Sequence, residues 1–171
     1  MADGARNACD AGAGSSGAMS APLFAEFARR ETAEGGLEAE LRLRIPSDVN
    51  LVDEAIELVT RHLEAAFVDR HIIRFNLRVA LAEAVANAIL YGNGEDPAKG
   101  VGVHILFGRN AVEMEVTDEG CGFDFRHVPD PTLPANRMRP YGRGLFLIRQ
   151  LVDEVRFNEA GNSIRMVVRR T

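Results

Sequence analysis

Apolar and polar side chains alternate along residues 39–45, placing Leu41, Leu43 and Ile45 on one side of the chain. A period of two predicts a strand, and Pro46, which cannot donate to a sheet ladder, ends it. Ser47 or Asp48 then supplies the N-cap of a helix reaching about Phe67, with Val52, Ile56, Val59 and Leu63 recurring on one face. A second helical run covers residues 78–91 and stops near Gly92. Residues 92–100 (GNGEDPAKG) carry turn formers and predict a loop. Alternation returns in residues 101–107 and again in 112–117, where Val112, Met114 and Val116 share a side. Gly108, Arg109 and Asn110 between them predict a hairpin turn. A long Pro-rich connection over residues 125–140 has the length of a lid or of a plain surface loop. It leads to a third helix from Gly144 to about Val152. A last hairpin joins residues 155–158 to residues 164–168 through Gly161 and Asn162. Strands grouped in hairpins, without strict βαβ alternation, predict an antiparallel or mixed sheet with helices on one face.

The N-terminal end breaks this pattern. Residues 1–21 are rich in Gly, Ala and Ser and have no hydrophobic period, which predicts a disordered leader; Met19 is a possible alternative start. Residues 23–30 (LFAEFARR) read as a short amphipathic turn of helix. The expected division is therefore a disordered or weakly structured leader, 1–36, and one globular domain, 37–171. A chain of 171 residues suits one such domain.

Charge and composition narrow the function. A net charge of −5 provides no global basic field, so direct nucleic-acid binding is not expected. No apolar run reaches the roughly 18–20 residues that span a bilayer. A basic segment followed by an apolar one is missing at the N-terminus, so a secretory signal is not expected either. These features predict a cytoplasmic protein without a membrane partner. Two cysteines, Cys9 and Cys121, are too few for a disulfide framework, and the four histidines show no metal-ligand spacing.

Three features carry candidate chemistry. Between Val79 and Leu90 the only polar side chains are Glu83 and Asn87, four residues apart and thus on one helix face. A solvated face normally carries several charges, and a buried carboxylate is costly unless paired. Asn87 offers a neutral oxygen suited to Mg²⁺, and Glu83 can orient or deprotonate a hydroxyl attacking a γ-phosphate. The second feature is Asp118-Glu119-Gly120-Cys121-Gly122 at a strand end. Its glycines let the backbone approach a flat ligand, and the Asp118 carboxylate can accept hydrogen bonds from the exocyclic amine of a base. The acidic positions of a calcium loop are missing there. Third, Gly142-Arg143-Gly144-Leu145 opens a helix, where free amides bind phosphate and Arg143 or Arg139 can add charge. Each feature alone also fits a bland role, as a solvated face, a turn or a hinge. No P-loop, protein-kinase signature set or Gly-x-Ser-x-Gly elbow is present.

In their order, EAVANAILYGN, DEGCGF and GRGLFLIRQLVDEV resemble the GHKL ATPase superfamily. Within it the chain resembles the small anti-sigma factor serine/threonine kinases of bacterial partner-switching systems, over residues 41–169. The resemblance implies an α/β two-layer sandwich of Bergerat type, with three helices over a mixed, largely antiparallel sheet. ATP would lie between helices and lid. By motif it implies Glu83 as general base, Asn87 as Mg²⁺ ligand and Asp118 as the adenine-binding acid, with Gly120 and Gly122 shaping that pocket. Gly142 and Gly144 become phosphate-facing glycines, with Leu145 beside them, and Ser163 takes the place of a Thr that supports the adenine Asp. Tyr91 stands where relatives often have His. Pro140 and Tyr141 stand where many relatives have a basic residue, which leaves Arg139 or Arg143 for that role. The implied partners are a STAS-domain anti-anti-sigma protein, phosphorylated on serine, a sigma factor that is sequestered, and a second copy in a homodimer. The alternative is a nucleotide-binding module that sequesters a partner and transfers nothing.

Overall fold

The computed structural model describes residues 23–31, 37–65, 71–124, 126 and 143–170. Six strands form one sheet: β1 (Phe24–Glu31), β2 (Leu37–Pro46), β3 (Gly100–Phe107), β4 (Ala111–Thr117), β5 (Glu154–Phe157) and β6 (Ser163–Arg169). Their spatial order is β1-β2-β3-β4-β6-β5. All five pairings are antiparallel, so the parallel component allowed by the expected mixed sheet is not found among the described residues. Helices α1 (Val52–Ala65), α2 (His71–Asn87) and α3 (Arg143–Leu151) supply the second layer.

Register explains why one face is apolar. Ile105 lies opposite both Leu41 and Met114, and Met114 lies opposite Met166, so one row crosses four strands. None of these four side chains is more than 1% exposed. A slip of one residue would turn the row toward the other face, which fixes the pairing. Val52, Ile56, Val59 and Leu63 of α1 cover this face, as their spacing predicts, together with Leu77, Leu81 and Val85 of α2 and Ile148 of α3. Each such side chain stabilises the fold by about 1.5–3 kcal/mol of transfer free energy.

Two boundaries differ from the sequence expectation. Residues 24–31 are not a turn of helix but strand β1, paired along its length with β2, so the sheet begins before residue 37. Phe27 and Ala25 lie opposite Leu41 and Leu43 and share their face, and the Phe27 ring lies 4.9 Å from the His62 ring of α1. Helix α2 starts at His71, seven residues before the expected Arg78. The N-cap is Asp48, whose carboxylate accepts the Asn50 N–H at 2.9 Å and opens a single 3₁₀ turn (Val49–Leu51) ahead of α1. The leader 1–22 and the connection 127–142 lie outside the described residues, and with them Arg139 and Gly142.

Candidate functional site

Helix α2 carries alanine at 80, 82, 84 and 86, with Ala88 just beyond its end, and α3 packs against α2. Glu83 and Asn87, half-buried, project from α2 toward the first turn of α3. A Cβ built on Gly144 would stand 2.8 Å from Oε2 of Glu83 and 2.9 Å from Nδ2 of Asn87. A glycine is needed here for close approach, since any side chain would fill the space in front of both polar groups. No hydrogen bond or ion pair with the described residues engages either side chain. Arg143 is exposed at the start of α3. Leu145, 7% exposed, packs into the core, so only its backbone amide in the first turn faces outward chemistry.

After Asn87 the helix widens into one π turn (Ala88–Gly92), closed by the Asn93 N–H on the Ala88 carbonyl at 2.8 Å. Such turns are frequent at functional sites. This one delivers Gly92 to Asp118, about 7 Å of helix axis beyond Asn87. A Cβ on Gly92 would meet Oδ2 of Asp118 at 2.5 Å and Oδ1 at 2.7 Å. Gly120 in turn rests on the Gly92 carbonyl, with no room for a side chain, and donates its N–H to Oδ1 of Asp118 at 2.8 Å. Burial in this glycine-lined niche raises the Asp118 carboxyl above its ordinary value; the Gly120 amide and the Lys99 charge oppose that shift. Gly122, at φ 75°, adopts a left-handed backbone and lies against the Ala160 carbonyl.

The structure thus gathers two groups, Glu83, Asn87 and Gly144 on one side and Gly92, Asp118 and Gly120 on the other, along the C-terminal half of α2. Ser163 joins neither. Its hydroxyl donates to Oε1 of Glu115 at 3.0 Å and lies 2.8 Å from the Thr117 hydroxyl, on the sheet face away from the helices. Asn162, one residue earlier, donates from Nδ2 to the Asp118 carbonyl at 3.1 Å. Alternation along a strand puts neighbours on opposite faces, which is why a one-residue offset matters. A cleft of about 330 Å³ on that far face, lined by Arg42, Gly102, His104, Glu115 and Thr117, is separate from the site.

Sequence reasoning missed Asn93 and Lys99, both within a segment read only as a loop. Lys99 is a charge acting on Asp118, and Asn93 is 4% exposed with three side-chain hydrogen bonds. The one available signal was an amide between two glycines.

As a donor set for Mg²⁺, the site supplies one neutral oxygen on Asn87, and no group of three His, Cys, Asp or Glu side chains converges among the described residues. That sparse set fits Mg²⁺, which keeps waters and phosphate oxygens, and does not fit an all-protein metal cage. No helix among the described residues is long and apolar enough to cross a membrane.

Residues 45–168 match the family described as the histidine kinase-like ATPase domain, and the chain belongs to that family. It is similar to the Serine-protein kinase RsbW of Oceanobacillus iheyensis, 28% identical over 89 residues, 48% of this chain and 56% of that protein. It is also similar to the Serine-protein kinase RsbW of Bacillus subtilis, 31% identical over 98 residues, 53% of this chain and 61% of that protein. The protein of the same name from Listeria monocytogenes is 32% identical over 99 residues, 53% of this chain and 62% of that protein. The chain therefore spans about three fifths of the length of these relatives.

Proposed function

We propose that this protein binds ATP with Mg²⁺ and transfers the γ-phosphate to a serine of a small STAS-domain anti-anti-sigma protein, and that it sequesters a sigma factor once that antagonist is phosphorylated. The observation that carries the reading is the convergence of Glu83 and Asn87 on Gly144, with neither side chain engaged by the described residues. Glu83 would accept the serine proton, and Asn87 would hold the metal, which neutralises charge on the phosphates when bound. Asp118 would accept the adenine amine in the niche built by Gly92 and Gly120. The first-turn amides of α3 at Gly144 and Leu145, with Arg143 and Arg139, would face the phosphates. Positioning and charge neutralisation carry most of such a transfer, so a modest set of side chains suffices. Similarity to proteins named as serine kinases supports serine as acceptor. A homodimer in the cytoplasm and one domain that begins with β1 belong to the same proposal.

The test is incubation of the protein and its bound partners, isolated from source lysate, with Mg²⁺ and γ-labelled ATP. Label on the serine of a small bound protein, lost in Glu83→Gln while ATP binding persists, is expected. A stable partner with no label that depends on Glu83 would favour the sequestering module.

A further inference from the structure

Asn93 is the first residue beyond the π turn and is buried between three strand ends. Its two amide hydrogens go to the Ser47 hydroxyl at 2.8 Å, just after β2, and to the Gly100 carbonyl at 3.0 Å, at the start of β3. Its oxygen accepts the Glu119 N–H at 2.8 Å, just after β4. The residues on either side of these bonds are the walls of the niche around Asp118. Gly92, covalently joined to Asn93, lies against the Asp118 carboxylate, and Gly120, joined to Glu119, lies on the Gly92 carbonyl. Ser47, the first partner, donates in turn to the Lys99 carbonyl at 3.1 Å, and the Lys99 charge acts on Asp118.

We infer that Asn93 is a positioning residue that clamps the Gly92 wall to the Asp118–Gly120 wall and thereby sets the base selectivity of the nucleotide site. This rests on the reading of Asp118 as the acceptor of the adenine amine. The physical argument is one of tolerance. A carboxylate discriminates an amino from an oxo group at the same ring position only if it stays within hydrogen-bond distance of that group. Gly92 and Gly120 leave Asp118 no other place to sit, provided the two walls keep their spacing. One amide, with no solvent to replace its bonds, holds that spacing. Removing it leaves buried partners unsatisfied and frees Glu119 and Gly92 to move independently. The phosphate end of the site, at Glu83, Asn87 and Gly144, does not touch this clamp.

The experiment compares the full chain with Asn93→Ala and Asn93→Asp. For each, binding of ATP, of inosine triphosphate and of inorganic tripolyphosphate is measured with Mg²⁺ at a temperature where circular dichroism shows the fold intact. Asn93→Ala is expected to lose about tenfold or more of the preference for ATP over inosine triphosphate, with tripolyphosphate affinity unchanged. Asn93→Asp loses both donations but keeps an oxygen for the Glu119 N–H, so it should retain the preference even where its thermal stability falls. An unchanged preference in Asn93→Ala overturns the inference, as does an equal loss of tripolyphosphate affinity or an equal loss of preference in both variants. Should Asn93→Ala fail to fold, Asn93→Ser, whose side chain is too short to hold all three strand ends, takes its place and must lose the preference. A parent chain that binds both triphosphates equally would instead overturn the base-reading role of Asp118 itself.

Discussion

The Asp118 carboxylate lies directly against the α-carbon of Gly92, at the point where the helix layer and the sheet layer meet. Strand pairing holds Asp118 from one side, through its N–H on the Asn162 carbonyl at 2.9 Å, and the end of α2 holds Gly92 from the other. The site is therefore a seam between two layers, and its width is the width of a glycine.

Gly92→Ala tests that seam. The new methyl group would meet two carboxylate oxygens at 2.5 and 2.7 Å, so the Asp118 side chain must leave its niche or the layers must part. Overpacking of this kind costs about 1–3 kcal/mol. ATP affinity should fall about tenfold or more, by calorimetry, because the displaced carboxylate no longer meets the base. Unaltered ATP affinity with lowered stability in urea would show that this carboxylate reads no base.

Gly144→Ala should separate stability from activity. Gly144 has no left-handed backbone to protect, and alanine is about 1 kcal/mol better than glycine inside a helix. The atoms a methyl group would meet are the ends of two side chains, Glu83 and Asn87, which can swing away. Thermal denaturation should therefore show a change within about 1 kcal/mol. Phosphate transfer should be abolished, since the two groups can no longer face the start of α3. Full transfer by this variant would remove the convergence from the catalytic argument.

Elements with a sustained apolar period were legible from sequence. Strands β2, β3, β4 and β6 and helix α1 each bury one face, and that face is written as every second or every third to fourth residue. Strand β1 was not legible, because Phe24 and Phe27, three apart, mimic helical spacing, and only pairing with β2 decides its state. In the site, Glu83 and Asn87 stood out as the sole polar positions between Val79 and Leu90. Asn93 did not, since an asparagine between glycines is what any turn contains. Its partners at residues 47, 100 and 119 come together only through the sheet. The contact of Asn162 with Asp118 was hidden for a related reason: the sequence carries the order of residues around a turn but not which of two neighbours faces inward.

Phe27→Ala measures what β1 contributes. The ring is 37% exposed, so its loss costs less than the roughly 3–5 kcal/mol of a fully buried phenylalanine. Its contact with His62 adds about 0.5–1.5 kcal/mol beyond area burial. A destabilisation of about 1–2 kcal/mol in urea is expected. A value near zero would mean that β1 does not pack on α1 in solution.

The pH dependence of the site follows from Asp118, whose carboxyl titrates above the ordinary 3.8 because burial disfavours its charge. A folded-state pKa above the unfolded value means that the native state binds the proton more tightly. The penalty for the charged form is fully present above the folded pKa, and it is relieved as pH falls through that value toward 3.8. Asp118→Asn should therefore make the free protein more stable at neutral pH, the opposite of what removing a salt-bridged carboxylate does. Binding runs the other way, because the ionised carboxylate is the stronger acceptor for an amine. ATP affinity should weaken as pH drops through the folded pKa, at a higher pH than for an ordinary carboxylate. Lys99 is one of the influences that hold Asp118 ionised, so Lys99→Met should move the weakening to still higher pH. Carboxyl-carbon NMR of Asp118 across the acid range, with ATP affinity measured in parallel, checks both shifts. A midpoint below the ordinary value, or one that Lys99→Met leaves in place, would defeat the account of burial opposed by a neighbouring charge.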